Sequence, residues 1–428
     1  MITLKNKKPV DINDLSYDEL FENLQGNILK GHGRNFTAHI FVRFYRNNRT
    51  DAKQWLKNFS EKITSCKKQL KETIQFKKKG VSGGVFLGLY LTREGYDYLG
   101  ANANFLSSMK DAKLNDPDVK DWEEGYQENI HAMLLIGDDD YETLQKQKQV
   151  FIEELNHFSQ ILKIENGNVI RNGDGDGIEH FGYADGISQP LFFKEEIEEY
   201  KKKHSGNLAF NPEFSLSQVL YKDPFTNNDN AYGSFLVFRK LEQDVKGFKK
   251  LERHIAEMMN LEDDEIVGAV MVGRFEDGTP HILSKKDGIM DNLTNNFNYP
   301  TGSEGKCPFL NHIRATNERD KDSRTMIMAR RGIPYGRVTD IEDTKEKKGL
   351  LFMSFQSNIQ NQFEASQLRA NNMKDPIIGQ NAVFVADASC FEEKSENEET
   401  EKVNFRSFVT LKGGEYFFAP SIDYLKNL

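Results

Sequence analysis

Three short segments of this chain hold residue types suited to metal and proton chemistry: Asp185 in GYADGISQP, His312 in CPFLNHIRATNERD, and the pair Arg330–Arg331 in MARRGIPYG. A neutral imidazole gives a lone pair to a transition metal. An aspartate set between glycines sits where backbone can approach a ligand closely, and its carboxylate can exchange a proton. An arginine brings a permanent positive charge to an anion. Each has a plainer reading when taken singly: a structural histidine, a turn aspartate, a solvated arginine pair. With nine histidines in the chain, one histidine says little. Neither HExxH nor CxxCH occurs, which sets aside zincin chemistry and covalent c-type haem attachment. No Walker sequence occurs either. The stretch Asn172–Gly177 opens like an EF-hand loop, but its twelfth position is Tyr183 where a bidentate glutamate belongs. Cys307 is expected to be a structural cysteine, not a thiolate ligand.

Two sets of elements stand ready to position these residues. Apolar, β-branched and aromatic runs predict strands over Ala38–Phe44, Val85–Leu91 and His131–Ile136, with helices over Asp51–Phe59 and Tyr141–Leu155. A second set predicts strands over Ser234–Arg239, Val267–Arg274, Leu350–Gln356, Phe408–Thr410 and Glu415–Ala419, with helices over Lys246–Met259 and Ile359–Leu368. HIFVRFYRNNRTDAKQWL and SFLVFRKLEQDVKGFKKLERHI share one order: apolar strand, charged turn, amphipathic helix. The expected fold class is therefore α+β, with two halves that are each an antiparallel sheet carrying helices on one side. The expected domains are residues 1–205, including the glycine-flanked Asp185, and residues 206–428.

Composition narrows the function classes. With 38% hydrophobic and 29% charged residues, 428 residues suffice for two globular domains. A net charge of −9 argues against nucleic acid as a partner. No apolar run approaches the ~18 residues of a membrane helix, and the first twenty residues lack the apolar core of a signal peptide. Cys66, Cys307 and Cys390 lie far apart and are read as reduced thiols, so a cytoplasmic location is expected. The acidic run at residues 392–402 reads as a solvated insertion.

The three chemistry-bearing segments, in this order, resemble the signature segments of the dye-decolorising (DyP-type) haem peroxidases. LQGNILKGHGR (Leu24–Arg34), GLLFMSFQSNIQNQFE (Gly349–Glu364), DPIIGQ and FVTLKGGEYFFAPS resemble that family as well, so the likeness runs from about Leu24 to Ser421. It implies two ferredoxin-like halves, with a non-covalent haem b held mainly by the C-terminal one. It implies a peroxidase that uses hydrogen peroxide to oxidise bulky reductants such as dyes and phenols through compound I. By the resemblance His312 is the axial ligand of the iron, Asp185 the acid–base group for peroxide and Arg330, in preference to Arg331, the cation beside it. Arg314 is the expected partner of a haem propionate, and Met353 and Phe355 are expected to face the distal pocket. Glu364 is the expected acceptor of the His312 N–H.

The implied partners are hydrogen peroxide and a small-molecule reductant, with neither nucleic acid nor membrane; a homo-oligomer is compatible with the sequence. Bulky reductants that cannot reach a buried haem edge would pass electrons through aromatic side chains. Trp55 and Trp122 both lie in the N-terminal half, which favours tyrosines such as Tyr335 for that role. The rival reading is a haem carrier, sensor or iron-releasing protein, which would need the axial ligand but not the Asp185–Arg330 pair.

Overall fold

The computed structural model describes residue 4 and residues 9–288, 295–299, 311–338, 345–379, 383–386, 401–404 and 407–428. Cys307, Cys390 and most of the acidic run at 392–402 lie outside these residues.

Eight main strands order the molecule: β1 (Phe36–Phe44), β2 (Phe86–Leu91), β3 (Ala132–Asp138), β4 (Ser159–Asn168), β5 (Tyr232–Gln243), β6 (Ile333–Tyr335), β7 (Gly349–Gln356) and β8 (Val409–Ala419). They lie in the order β6-β7-β5-β8-β2-β3-β1-β4, and the paired neighbours run antiparallel. In each half the second, third, first and fourth strands stand side by side, the ferredoxin-like order. One residue pair, Phe418↔Leu91, bridges β8 to β2. The sheet then curls until its ends meet: a Cβ on Gly167 of β4 would lie 2.5 Å from Ile333 of β6. The result is an α+β barrel made of two equivalent halves.

The barrel interior is aromatic where the halves face each other. Phe41 of β1 packs edge-on against Phe238 of β5 at 4.9 Å between ring centroids, and Tyr126 joins both rings. This explains why β1 is buried along almost its whole length: one face meets the interior, the other meets α3 (Tyr141–Asn156), in a half that also carries α1 (Arg49–Ser60) and α2 (Cys66–Lys79). Near this core Lys240 of β5 reaches across to Glu165 of β4 at 3.0 Å and to Glu123 at 2.8 Å, with side-chain exposures of only 9% and 7% for Lys240 and Glu165.

The C-terminal half carries α4 (Val245–Met258), α5 (Glu265–Val272), α6 (His312–Thr316) and α7 (Ala365–Asn372). Along α4, Val245, Phe248, Glu252, Ile255 and Ala256 recur at helical spacing and are buried. The strand expected over Val267–Arg274 is instead helix α5, ending at Gly273 with φ of 97°. A short, wholly apolar run fits a buried strand or a buried helix equally well by pattern. The helix wins here because both of its sides are covered, with Val267 to Val272 all buried. β4 and α2 carry no clear alternation or stripe and were not anticipated.

Removing Lys240 as Lys240→Ala would leave Glu165 buried without its nearest cation. The expected loss is about 3 kcal/mol in equilibrium urea unfolding; an unchanged midpoint would show that the bridge between the halves contributes nothing.

Candidate active site

Between the sheet of the C-terminal half and its helices lies a cavity of about 280 Å³. The sheet supplies one wall: Arg239, Leu241 and Gln243 from β5, Leu350 and Phe352 from β7, Val409 and Leu411 from β8. Helical residues His312, Ile313, Thr316, Phe363 and Gln367 supply another. The loop holding Asp185 and the short strand holding Arg330 also open onto this space.

His312 is the first residue of α6, which Asn311 caps by accepting the N–H of Arg314. Its Nδ1 lies 2.8 Å from Oδ2 of Asp375, a fully buried carboxylate. A carboxylate only accepts, so Nδ1 carries a proton, and in the neutral ring Nε2 keeps its lone pair. Nε2 has no hydrogen-bond partner among the described residues. Burial alone would lower the pKa of the ring, but the charge and hydrogen bond of Asp375 outweigh it and raise the pKa above the usual histidine value. Asp375 is itself fixed, its Oδ1 accepting the N–H groups of Ile377 and Ile378 at 2.8 and 3.1 Å.

That pairing corrects the expectation for Glu364. Its carboxylate accepts the hydroxyl of Tyr416 at 3.0 Å, at the end of a π-helical turn, while the chain passes along α7 before Asp375 arrives at the imidazole. Asp375 stands in DPIIGQ, a segment whose likeness was noted but whose acid was given no role; an aspartate before proline, just past a helix, reads as a turn former from sequence.

Arg314 is also placed differently. Its guanidinium pairs with Glu318 at 2.6 Å and lies 4.3 Å from the centre of the Tyr299 ring, outside the set of cavity-lining residues. Two positions along a helix is a turn of ~200°, so Arg314 faces away from whatever His312 faces. The cations that do line the cavity are Arg239, Arg274, Arg319 and Arg330. Arg319 has a positive φ of 63° and donates to Asn295 and Phe297, which commits it to local structure. Burial pushes Arg274 down to about 9 and Arg319 down to about 10, so the enclosure favours an anionic occupant.

Met353 and Phe355 do not line the cavity. They are buried in the barrel core, where the ring of Phe355 packs on Tyr90, and Leu350 and Phe352 take the cavity positions. The difference is a single residue of strand parity, which reverses every side chain.

Asp185 and Arg330 do share the cavity with His312. Asp185 is held between Gly182 and Gly186, with φ of 107° and 78°, and its own N–H donates to Gly177 O at 3.0 Å. Arg330 pairs with Ser354 of β7 in the short strand Ala329–Arg330. Its backbone N–H donates to the Gln189 side chain at 3.0 Å, so the loop that carries Asp185 also grips Arg330. Arg331 points elsewhere. Its Nε donates to Asn27 O at 2.8 Å and its Nη2 to Ile28 O at 3.1 Å, holding the Leu24–Arg34 segment in place.

An imidazole with a free lone pair, an acid and a cation that line one cavity with apolar strand residues define a peroxidase-type cofactor site on an α+β barrel. The comparisons name the family. The DyP dimeric alpha+beta barrel domain matches residues 23–169, and the Dyp-type peroxidase C-terminal domain matches residues 211–424. The chain is 38% identical to the multifunctional dye peroxidase DyP2 of Amycolatopsis sp., over 96% of both chains. It is 30% identical to the dye-decolorizing peroxidase msp1 of Mycetinis scorodonius, covering 74% of this chain and 69% of that one. The crystal structure of an Anabaena sp. DyP-type peroxidase superposes with a TM-score of 0.92 at 38% identity, covering 100% of this chain and 99% of that one. The chain belongs to the DyP-type peroxidase family, and it is an oxidoreductase that acts on peroxide.

Peroxidases of this family depend on haem. The residues present fit that group: a partnerless Nε2, an apolar wall opposite it, and buried arginines for anionic substituents. His312→Ala should abolish haem retention or leave a spectrum that depends on added ligands. Asp375→Asn should keep the haem but raise the ferric/ferrous midpoint potential, because the imidazole loses its anionic partner. Spectroelectrochemical titration reads both, and an unmoved potential would remove Asp375 from the ligand's electronics.

Proposed function

We propose that this chain binds haem b non-covalently through His312 and uses hydrogen peroxide to oxidise bulky organic reductants, dyes and phenols among them, in the cytoplasm. The observation that carries the reading is the convergence of Asp375-bound His312, Asp185 and Arg330 on one cavity. When bound, the haem supplies the redox-active iron that takes oxidising equivalents from peroxide and passes them to the reductant. The chain's residues do the rest. Nε2 of His312 would hold the metal, and Asp375 fixes the ring's tautomer and orientation. Asp185 accepts the proton from one peroxide oxygen and delivers it to the other, so that water can leave. The guanidinium of Arg330 stabilises the anion formed between those two transfers. Leu350 and Phe352 keep bulk water off the reacting face.

The absence of CxxCH supports non-covalent attachment, and Cys66, a buried thiol with no disulfide partner among the described residues, supports the reducing compartment. The description of the matched N-terminal domain as dimeric supports a homo-oligomer. A division of the chain into residues 1–205 and 206–428 is part of the same reading. The two four-strand halves support it, although the Asp185 loop, in the first part, closes on a cavity built by the second.

Mixing the haem-loaded protein with peroxide in a stopped-flow spectrometer tests the assignment. Arg330→Leu should slow the first spectral change by ~10²–10³-fold, as for loss of one preorganised donor in an enclosed site. Arg331→Leu should leave that step near the wild-type rate and instead loosen the Leu24–Arg34 segment. The opposite ranking would exclude Arg330 from the role, and a haem protein inert to peroxide would favour carriage over catalysis.

A further inference from the structure

The proposed function gives Asp185 a task but does not explain what holds it. Its loop leaves β-structure at Ile178, is bridged back to it at Ala184, and contains two glycines of positive φ. The side chain at its centre is Glu179. One carboxylate oxygen of Glu179 accepts the N–H of Phe181 at 2.9 Å, and the other accepts the N–H of Tyr183 at 3.1 Å. The Gln243 amide of β5 donates to the first of these oxygens, pinning the loop to the sheet wall of the cavity. The backbone closes round the same point, with Glu179 N–H donating to Tyr183 O and Gly182 N–H to Glu179 O. The chain between Glu179 and Asp185 is thus wound about one carboxylate.

We propose that Glu179 is a positioning residue for the peroxide reaction, its carboxylate setting the place of Asp185 through the Phe181 and Tyr183 amides and the Gln243 side chain. The inference rests on the reading of Asp185 as the acid–base group.

The chemistry of the contacts explains why a glutamate is required. Three donors converge on Glu179 and each needs an acceptor; a carboxylate offers about four lone-pair sites and no hydrogen. A glutamine would turn an NH2 group toward at least one of those donors. Retention of a carboxylate here is unfavourable in itself, since burial pushes its pKa up to about 7, with the nearby Asp185 adding to the rise against the three hydrogen bonds. A buried acid kept beside a second acid, with its oxygens spent on backbone amides, is placed for geometry.

The test is a double-mutant cycle on the haem-loaded enzyme, with the rate of the first peroxide-dependent spectral change as readout. Glu179→Gln should slow that step by ~10- to 10²-fold, the effect of displacing a reacting group by a fraction of an ångström to an ångström. The KM for the reducing dye should be unchanged. In an Asp185→Asn background the same substitution should change the rate by no more than roughly twofold, because it then has no positioned acid to disturb. Hydrogen exchange should show the Phe181 and Tyr183 amides losing protection in Glu179→Gln, independently of turnover. If Glu179→Gln fails to retain haem, Gln243→Leu, which removes one of the three donors, enters the same cycle with a smaller loss expected.

Losses that multiply in the double variant would overturn the proposal, as would a wild-type rate in Glu179→Gln beside a slow Asp185→Asn. A wild-type rate in Asp185→Asn alone would sink the reading of Asp185 itself, and the positioning role would fall with it.

Discussion

Every residue that reaches the cavity from the sheet lies two positions from the next one on its strand: Arg239, Leu241 and Gln243; Leu350 and Phe352; Val409 and Leu411. This is the pleat of a β-strand expressed as a wall. Because β7 pairs with β5 in the register Phe352↔Arg239 and Leu350↔Leu241, the rows come into line, and one side of the sheet belongs to the site while the other belongs to the barrel core. The placement of the remaining parts follows from that surface. Gln243 takes hold of Glu179 from it, and Arg330 reaches the cavity because its short strand pairs with Ser354 on the edge of β7.

The helical wall works by a different rule. A single turn brings His312 to the cavity and carries Arg314 away into its pair with Glu318, so one short helix divides its residues between site and support. The imidazole is then oriented from behind by Asp375, which is locked in turn by two backbone amides. A histidine so held presents Nε2 in one direction and one tautomer, which removes the orientational freedom a metal would otherwise have to suppress. The two walls therefore meet the cavity with unlike chemistry: a fixed lone pair from the helix and a largely apolar floor from the sheet, with the acid and cation opening onto the same space.

Segments with local chemical meaning were legible in the sequence. GYADGISQP, the histidine after CPFLN and the first arginine of MARRGIPYG all reach the same space, and the duplicated strand–turn–helix order matches the two halves of the barrel. What escaped notice depends on contacts between distant residues or on parity. Asp375 lies 63 residues from the imidazole that it supports, and no local pattern announces such a partner. Met353 and Phe355 were placed one position out on a strand buried on both faces, where alternation gives no signal to correct the error. The apolar stretch over Val267–Val272 was read as a strand because a helix covered on all sides has no polar stripe.

The two halves share a strand order, yet the cavity lies in only one of them. The difference is in what connects the first and second strands. In the N-terminal half residues 45–85 carry two helices, and the first packs closely on α3: Trp55 stacks on Phe59 and both meet Phe151 of α3 edge-on, all within about 6.5 Å. The corresponding connection in the C-terminal half, residues 244–332, is more than twice as long and brings α4, α5 and α6 to the same face. Longer connections are tolerated because the entropy of closing a loop grows only slowly with its length. Helices held by such a connection need not press against the sheet, and here they stand away from it with His312 at the boundary. The loop from the end of the first half, with Asp185, then closes over a space that neither half could enclose by itself.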